Sequence, residues 1–345
     1  MAFTKRKKNL GHQRLDVLLL FDLNFQPPAD QDYSAFLKDD DWICERHVSK
    51  ALKDLGHQVR FFGVYDDIRP LLNEIQTSPP DLIFNLCETV CDSRNLEPNL
   101  VGLLELLDIK FTGAGSKALQ LCKDKGLTKK ILRYHGVRVP DFVTSELSHP
   151  LKKLDGFRFP AIVKPIDLEG SEGITQTSFV ADEKAALDRI QFLHEKYQTD
   201  VIAEEYIDGR EIYVGMVGNE APTILPAREM FFGEAGEGEP KLATYHAKWD
   251  QKYRKRHGIR SGFARGIDSM TEKQMHEVCR KAYHHFRMAG YGRMDLRLTP
   301  NKEIVFIEAN PNPYIAPDED FALAAKRAGV DYVALIDRLL SLACA

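Results

Sequence analysis

Along the first hundred residues the hydrophobic and polar positions repeat one unit. A short run of consecutive apolar residues gives way to a stretch where apolar residues return every three or four positions. Leu15 to Phe21, Val59 to Val64 and Leu82 to Leu86 are runs of the first kind, with a fourth near Ile109 to Thr112. Segments from about Trp42 to Leu55, Ile68 to Gln76 and Leu96 to Leu107 are of the second kind, and Gly56 stops the first of these because a positive φ costs glycine little. Strands separated by helices predict a parallel sheet with helices packed on it.

The pattern then changes. Ser116 is placed to cap a helix over Lys117 to Cys122, and Lys123 to His135 reads as a basic helix ended by Gly136. Strand-like runs at Ala161 to Pro165, Ile174 to Val180, Val201 to Ile207 and Ile212 to Val217, with one helix between Glu183 and Tyr197, predict a small α+β module. The polar stretch Phe231 to Ile267 shows neither period, which in a compact chain marks a functional lid or disorder. A helix from Thr271 to Met288, two strands around the turn Thr299-Pro300-Asn301-Lys302, and a helix from about Phe321 to Leu342 complete the chain.

With 345 residues the chain exceeds one ordinary core and predicts two or three domains. Its 43% hydrophobic and 28% charged residues are those of an ordered globular protein, and a net charge of -4 gives no general attraction for nucleic acid or anionic membrane. The basic opening Lys5-Arg6-Lys7-Lys8 lacks the apolar core and cleavage site of a signal peptide, and Leu15 to Phe21 is too short to span a bilayer. A cytoplasmic location is expected. The six cysteines form no C-x-x-C pair; Cys87 and Cys91 share a helical spacing, but with no histidine nearby they read as incidental thiols and not as metal ligands.

Candidate chemistry begins in the hairpin. Strand side chains alternate faces, so Arg293 and Asp295 share one face of the first strand, as do Glu308 and Asn310 at the second. A register that sets Asp295 opposite Glu308 sets Arg293 opposite Asn310. The oxygens of Asp295, Glu308 and Asn310 suit Mg2+ shared with phosphates, and Arg293 would stabilise charge on a reacting oxygen. The bland alternative is an edge hairpin with its polar side in water. Further back, Lys164 ends an apolar strand before the loop Asp167 to Gly173, where the backbone of Gly170 and Ser171 can approach an anion and the ammonium adds charge, although Glu169 and Glu172 oppose this. The segment Glu204 to Glu211 is a strand edge that could serve adenine through backbone groups near Tyr206 and Ile207, with carboxylates for the exocyclic amine and the ribose, or else a solvent-exposed rim.

Leu103 to Gly113, Asp124-Lys125, Val163-Lys164-Pro165, Glu204 to Glu211, Tyr245-His246-Ala247-Lys248, Gly292 to Asp295 and Glu308-Ala309-Asn310 occur in an order that resembles the ATP-grasp superfamily, in its D-alanine:D-alanine ligase-like branch. The resemblance implies an ATP-grasp fold of mixed α/β and α+β class. An N-terminal parallel-sheet domain would span 1–121, a small central subdomain 122–208, and a C-terminal subdomain 209–345 with its lid loop at 231–267. It implies that Lys125 and Lys164 hold the phosphates of ATP, that Glu204 takes the adenine amine and Glu211 the ribose. Lys248 would reach the transferred phosphoryl group, Asp295, Glu308 and Asn310 would bind two Mg2+ ions (or Mn2+), and Arg293 would face the oxyanion. The implied reaction joins a carboxylate to an amine through an acyl-phosphate, in a homodimer.

Two departures bear on the substrates. The early Gly-rich segment with Ser-x-Glu, which holds the first substrate's amine in the ligases of that branch, is here Phe21 to Pro28, without the glycines or the glutamate. Glu45 could substitute for it, or be a surface helix carboxylate. Where those ligases use Ser-His-Ser-Leu to receive the second substrate's carboxylate, this chain has Pro317-Asp318-Glu319-Asp320-Phe321. Three acids repel a carboxylate, which predicts an acceptor other than D-alanine, cationic or without a carboxylate there; helix capping by the same acids is the competing explanation. Arg94 and Glu97 read equally as substrate contacts or as surface residues, and the basic run Lys252 to His257 with Arg260 as an anion contact or a solvated charge run. The rival functions are authentic D-alanine:D-alanine ligation and, from another class, a regulatory protein that binds ATP without ligating anything.

Overall fold

Asp16–Asp22, charged only at its ends, forms β1 at the centre of the first sheet, and its five inner residues are buried. In the computed structural model, which describes residues 14–168, 170–233 and 240–345, the unit read from the sequence continues as α1 (Ile43–Asp54), β2 (Gln58–Val64), α2 (Arg69–Thr77), β3 (Leu82–Asn85) and α3 (Glu97–Leu106). The basic opening Lys5 to Lys8 lies outside the described residues, as do Glu169 and residues 234–239. The sheet order is β2-β1-β3, all parallel. Odd-numbered β1 residues Val17, Leu19 and Phe21 pack with Val48 and Leu52 of α1, while Leu18 and Leu20 pack with Leu71, Ile75 and Leu104 on the other face. Both faces are covered, which is why the strand is a continuous apolar run. The fourth run shortens to one parallel bridge between Phe111 and Ile83.

Two helices lead out of this layer, α4 (Ser116–Lys123) and α5 (Lys125–Tyr134). The expected boundaries are corrected here. Gly115 occupies the N-cap of α4 and the Ser116 hydroxyl binds Glu105 instead. Lys123 ends α4, because Asp124 is extended and its carboxylate accepts the Leu127 N–H to start a new helix.

The central sheet contains β4 (Phe142–Ser145), β5 (Ala161–Pro165), β6 (Phe179–Val180) and, after α6 (Glu183–Tyr197), β7 (Val201–Glu205), in the antiparallel order β4-β7-β5-β6. β4 has no counterpart in the sequence reading. The expected strand from Ile174 to Val180 is overturned: Thr175 and Ser178 close a reciprocal capping box around a 3-10 turn, leaving two residues of strand.

The run Ile212 to Val217 leaves that module altogether. As β8 (Arg210–Val217) it enters the third sheet with β9 (Thr223–Ile224) and β10 (Arg228–Phe231). The polar stretch is not structureless, for α7 (Tyr245–Trp249), α8 (Gln251–Arg256) and β11 (Arg260–Phe263) lie within it, α7 capped by Thr244 and α8 by Asp250. After α9 (Ser269–His285) come β12 (Tyr291–Leu298) and β13 (Ile304–Pro311), giving the order β11-β10-β8-β12-β13 with β9 on β8. The expected last helix is two, α10 (Asp320–Arg327) and α11 (Tyr332–Cys344), separated where Gly329 turns at φ +87° and Asp331 caps the second. α11 returns to the first layer, where Ile336 and Leu339 share a core with Val17 and Leu19.

Candidate active site

β12 and β13 pair with Asp295 opposite Glu308 and Arg293 opposite Asn310. β8 lies on the other side of β12, with Tyr213 opposite Asp295 and Glu211 opposite Arg297. Alternation therefore places Arg293, Asp295 and Arg297 on one face of one strand. Arg293 donates from Nε and Nη2 to the two oxygens of Asp295, at 2.6 and 2.9 Å, and its guanidinium lies 5.0 Å from the Tyr213 ring centre. Burial raises the pKa of Asp295 against the pull of Arg293. Glu308 moves the other way: burial would raise it, but Lys125, Lys164, Lys248 and Lys129 hold it below the usual carboxylate range.

The central sheet presents a facing cluster. Glu204 on β7 takes Lys129 at 2.8 Å on one oxygen and Lys164 at 3.0 Å on the other. Burial is overcome by the two ammonium ions, and the carboxylate stays ionised. Lys125 gives its ammonium to the carbonyls of Ile166 and Leu168, so it holds the loop after β5. In that loop Gly170 and Ser171 both have positive φ.

Residues of the expected lid stretch complete the cluster. Lys248 lies 5.9 Å from the Tyr213 ring centre. The Trp249 indole donates to the Gly170 carbonyl at 3.1 Å, and Arg254 donates to the carbonyls of Ala247 and Lys248 and to Ser261 Oγ. Of the expected contacts for the basic run, Arg254 is thus spent on holding the lid's own backbone.

Between the central and third sheets lies a cleft of about 600 Å³ including its open mouth. Lys164, Ser171, Glu204, Tyr206, Ile207, Glu211, Lys248 and Glu308 of the expected set line it. Gly170 and Lys125 border it through the loop after β5, while Arg293, Asp295 and Asn310 stand beside Glu308 on the hairpin. Arg297, Leu242 and Ile307 also line it. Glu211 is held by Arg297 at 2.6 Å, and the Tyr206 hydroxyl accepts the Lys241 N–H. Arg297 and Lys129 were missed by sequence reasoning, yet each had a signal. Arg297 continues the period-2 series of Arg293 and Asp295, and Lys129 stands one helical turn from Lys125.

The expected substrate residues lie elsewhere. Glu45 is not an ordinary surface carboxylate: burial first, then Asp22 and Glu88, push its pKa up to about 7. Arg94 donates to Glu88 at 2.7 Å, and Glu97 pairs with Lys123 in the interior. The dipole reading of the acids holds in part, since Glu319 stands at the N-cap and Asp320 in the first turn of α10. Glu319 accepts no capping hydrogen bond, and Asp320 takes Arg228 at 2.9 Å. Asp318 is exposed. Tyr314 joins the two groups, its phenol raised by burial and by Cys44, Glu45, Glu319 and Glu88.

Among the described residues no three of His, Cys, Asp and Glu gather as a metal cluster. The hairpin set nevertheless fits a hard divalent cation. Its donors are all oxygen and Glu308 is held ionised, while the Asp295 oxygens are shared with Arg293. Among the described residues no helix is long and apolar enough to cross a membrane.

Residues 121–341 match the family described as D-ala D-ala ligase C-terminus. The chain is 30% identical over 296 residues to the D-alanine--D-alanine ligase of Aquifex aeolicus, covering 85% of this chain and 92% of that one. The D-alanine--D-alanine ligase of Bacillus anthracis, solved in complex with ATP, superposes with a TM-score of 0.72 at 17% identity over 95% of this chain and 97% of its own. The VanG D-Ala:D-Ser ligase of Enterococcus faecalis does so with a TM-score of 0.69 at 19% identity, over 96% and 100%. These two likenesses establish the fold.

Proposed function

The chain belongs to the D-alanine–D-alanine ligase family of ATP-grasp enzymes, ATP-dependent carboxylate–amine ligases that form a carbon–nitrogen bond, and on that premise we propose a reaction for it. ATP occupies the cleft between the central and third sheets, and a carboxylate takes its γ-phosphoryl group to become an acyl-phosphate. An amine then attacks the acyl carbon and phosphate leaves.

The observation that carries this reading is the charge balance at the cleft, where Lys125, Lys129, Lys164 and Lys248 face two carboxylates, Glu308 and the Glu204 that Lys129 and Lys164 hold. A polyphosphate offsets that excess. Lys125, Lys164 and the Gly170-Ser171 loop hold its oxygens, and Lys248 on the lid reaches the group in transfer. The adenine is met by Glu204 and by the backbone at Tyr206 and Ile207, and the ribose by Glu211. Asp295, Glu308 and Asn310 would hold Mg2+, which would supply positive charge against the phosphates when bound. Arg293 stabilises the oxyanion of the tetrahedral intermediate, and the lid excludes water from the acyl-phosphate. On this reading residues 1–121, 122–208 and 209–345 act as three domains, and the enzyme is a homodimer.

The acceptor in this proposal is not D-alanine. Glu319 accepts no capping hydrogen bond and Asp318 is exposed, so both are available to an ammonium and unfavourable to a carboxylate. The donor's polar end is met near Glu45, Glu88 and Arg94. The test is ATP-dependent phosphate release with D-alanine alone, followed by mass spectrometry on pooled acids and amines. Condensation of an acid with a cationic amine is the expected outcome. Robust turnover with D-alanine alone would instead make this an authentic D-alanine:D-alanine ligase.

A further inference from the structure

Lys129 is the most deeply enclosed charge near the cleft, with 0% of its surface exposed, and it does not line the cleft. Taking an ammonium out of water costs several kcal/mol, so its partners need an account. Its Nζ donates to the Ile307 carbonyl on β13 at 2.7 Å and meets Glu204 on β7 at 2.8 Å. One cation on α5 therefore ties a strand of the central sheet to a strand of the third. The tied points are close to the proposed chemistry on both sides. Glu204 also holds Lys164, and Ile307 precedes Glu308. One turn earlier on the same helix, Lys125 holds the carbonyls of Ile166 and Leu168.

We propose that Lys129 is a positioning residue for the nucleotide: by fixing Glu204 and the Ile307 carbonyl at once, it sets the spacing between the adenine-side strand and the phosphate-side hairpin. It touches neither nucleotide nor substrate. This rests on the ATP site proposed above. A residue that served folding alone would alter stability and active fraction, whereas one that sets this spacing alters ATP affinity in the molecules that are folded. Burial lowers its pKa to about 8 against the pull of Glu204, in keeping with a cation retained at some cost.

The experiment measures ATP binding by calorimetry and steady-state constants for wild type, Lys129→Met and Lys129→Gln. The glutamine variant removes the charge but keeps a donor for the Ile307 carbonyl, and leaves Glu204 in place beside Lys164, so it keeps the test open if Lys129→Met fails to fold. The expected result is a KM for ATP raised tenfold or more by Lys129→Met and less by Lys129→Gln, with the acceptor KM and kcat changed less than about threefold. Folded variants that bind ATP as wild type does would overturn the inference while leaving the ATP site intact. A wild-type protein that fails to bind ATP would overturn both.

Discussion

Replacing Glu204 with glutamine removes the single anion shared by two buried cations. Lys129 is 0% and Lys164 4% exposed, at 2.8 and 3.0 Å from its two oxygens. Breaking a buried ion pair by deleting one partner costs about 3–5 kcal/mol. An orphaned lysine limits the loss by shedding its proton, and Lys129 is already near doing so, its pKa lowered to about 8 by burial. That escape carries a pH signature. A lysine whose folded pKa lies below its unfolded value destabilises the fold at every pH under the unfolded value, and the penalty shrinks as pH rises towards it, by about 1.4 kcal/mol per unit for each neutral lysine. Glu204→Gln is therefore expected to lower unfolding free energy by about 3–5 kcal/mol at pH 7, with a smaller deficit at pH 9. Urea denaturation at both pH values measures it. A deficit under about 1 kcal/mol at pH 7, or one that grows towards pH 9, would refute the assignment of Glu204 as the common counter-ion.

Three further outcomes are expected. Burial pushes the Glu45 pKa up to about 7 from its ordinary 4.5; as a raised carboxyl it withdraws stability as pH climbs from the lower value to the higher, up to about 3 kcal/mol. Glu45→Gln should thus gain on wild type between pH 5 and pH 8 in thermal melts, and a gap equal at both would contradict the burial argument. Trp249→Phe deletes the donor to Gly170, about 1 kcal/mol of lid closure; phosphate released per condensed product should rise up to about fivefold, and an unchanged ratio would mean that this contact does not gate water. Gly113 has φ +100°, and an added Cβ would meet Asn312 Oδ1, which accepts the Ala114 N–H. Gly113→Ala should lose about 1–3 kcal/mol, and an unaltered melting temperature would show that the loop reshapes freely.

Periods of 2 and 3.6 residues are properties of the chain alone, and what depends on them was legible. The buried run of β1, the helices after it and the hairpin with Asp295 opposite Glu308 are all present at or near their expected bounds. The polar-to-apolar alternation of β12 carried Arg293 and Asp295 to one face, and carried Arg297 there as well.

Local periodicity fails where side chains compete with it or where the partner is distant in sequence. Thr175 and Ser178 bonded to each other's backbone and converted an expected strand into a turn, while Gly329 and Asp331 broke one expected helix into two. β8 joined the third sheet because a strand pairs with whatever edge the packing of other segments brings alongside. The pairs Lys129 with Glu204, Glu211 with Arg297 and Asp320 with Arg228 span 75, 86 and 92 residues by their numbering. The sequence by itself determined which residues carry charge and which face of a strand they share. Only the tertiary structure decided which opposite charge each would meet, since a buried ion is stable only beside its partner and that neighbour is fixed by how the sheets close on one another.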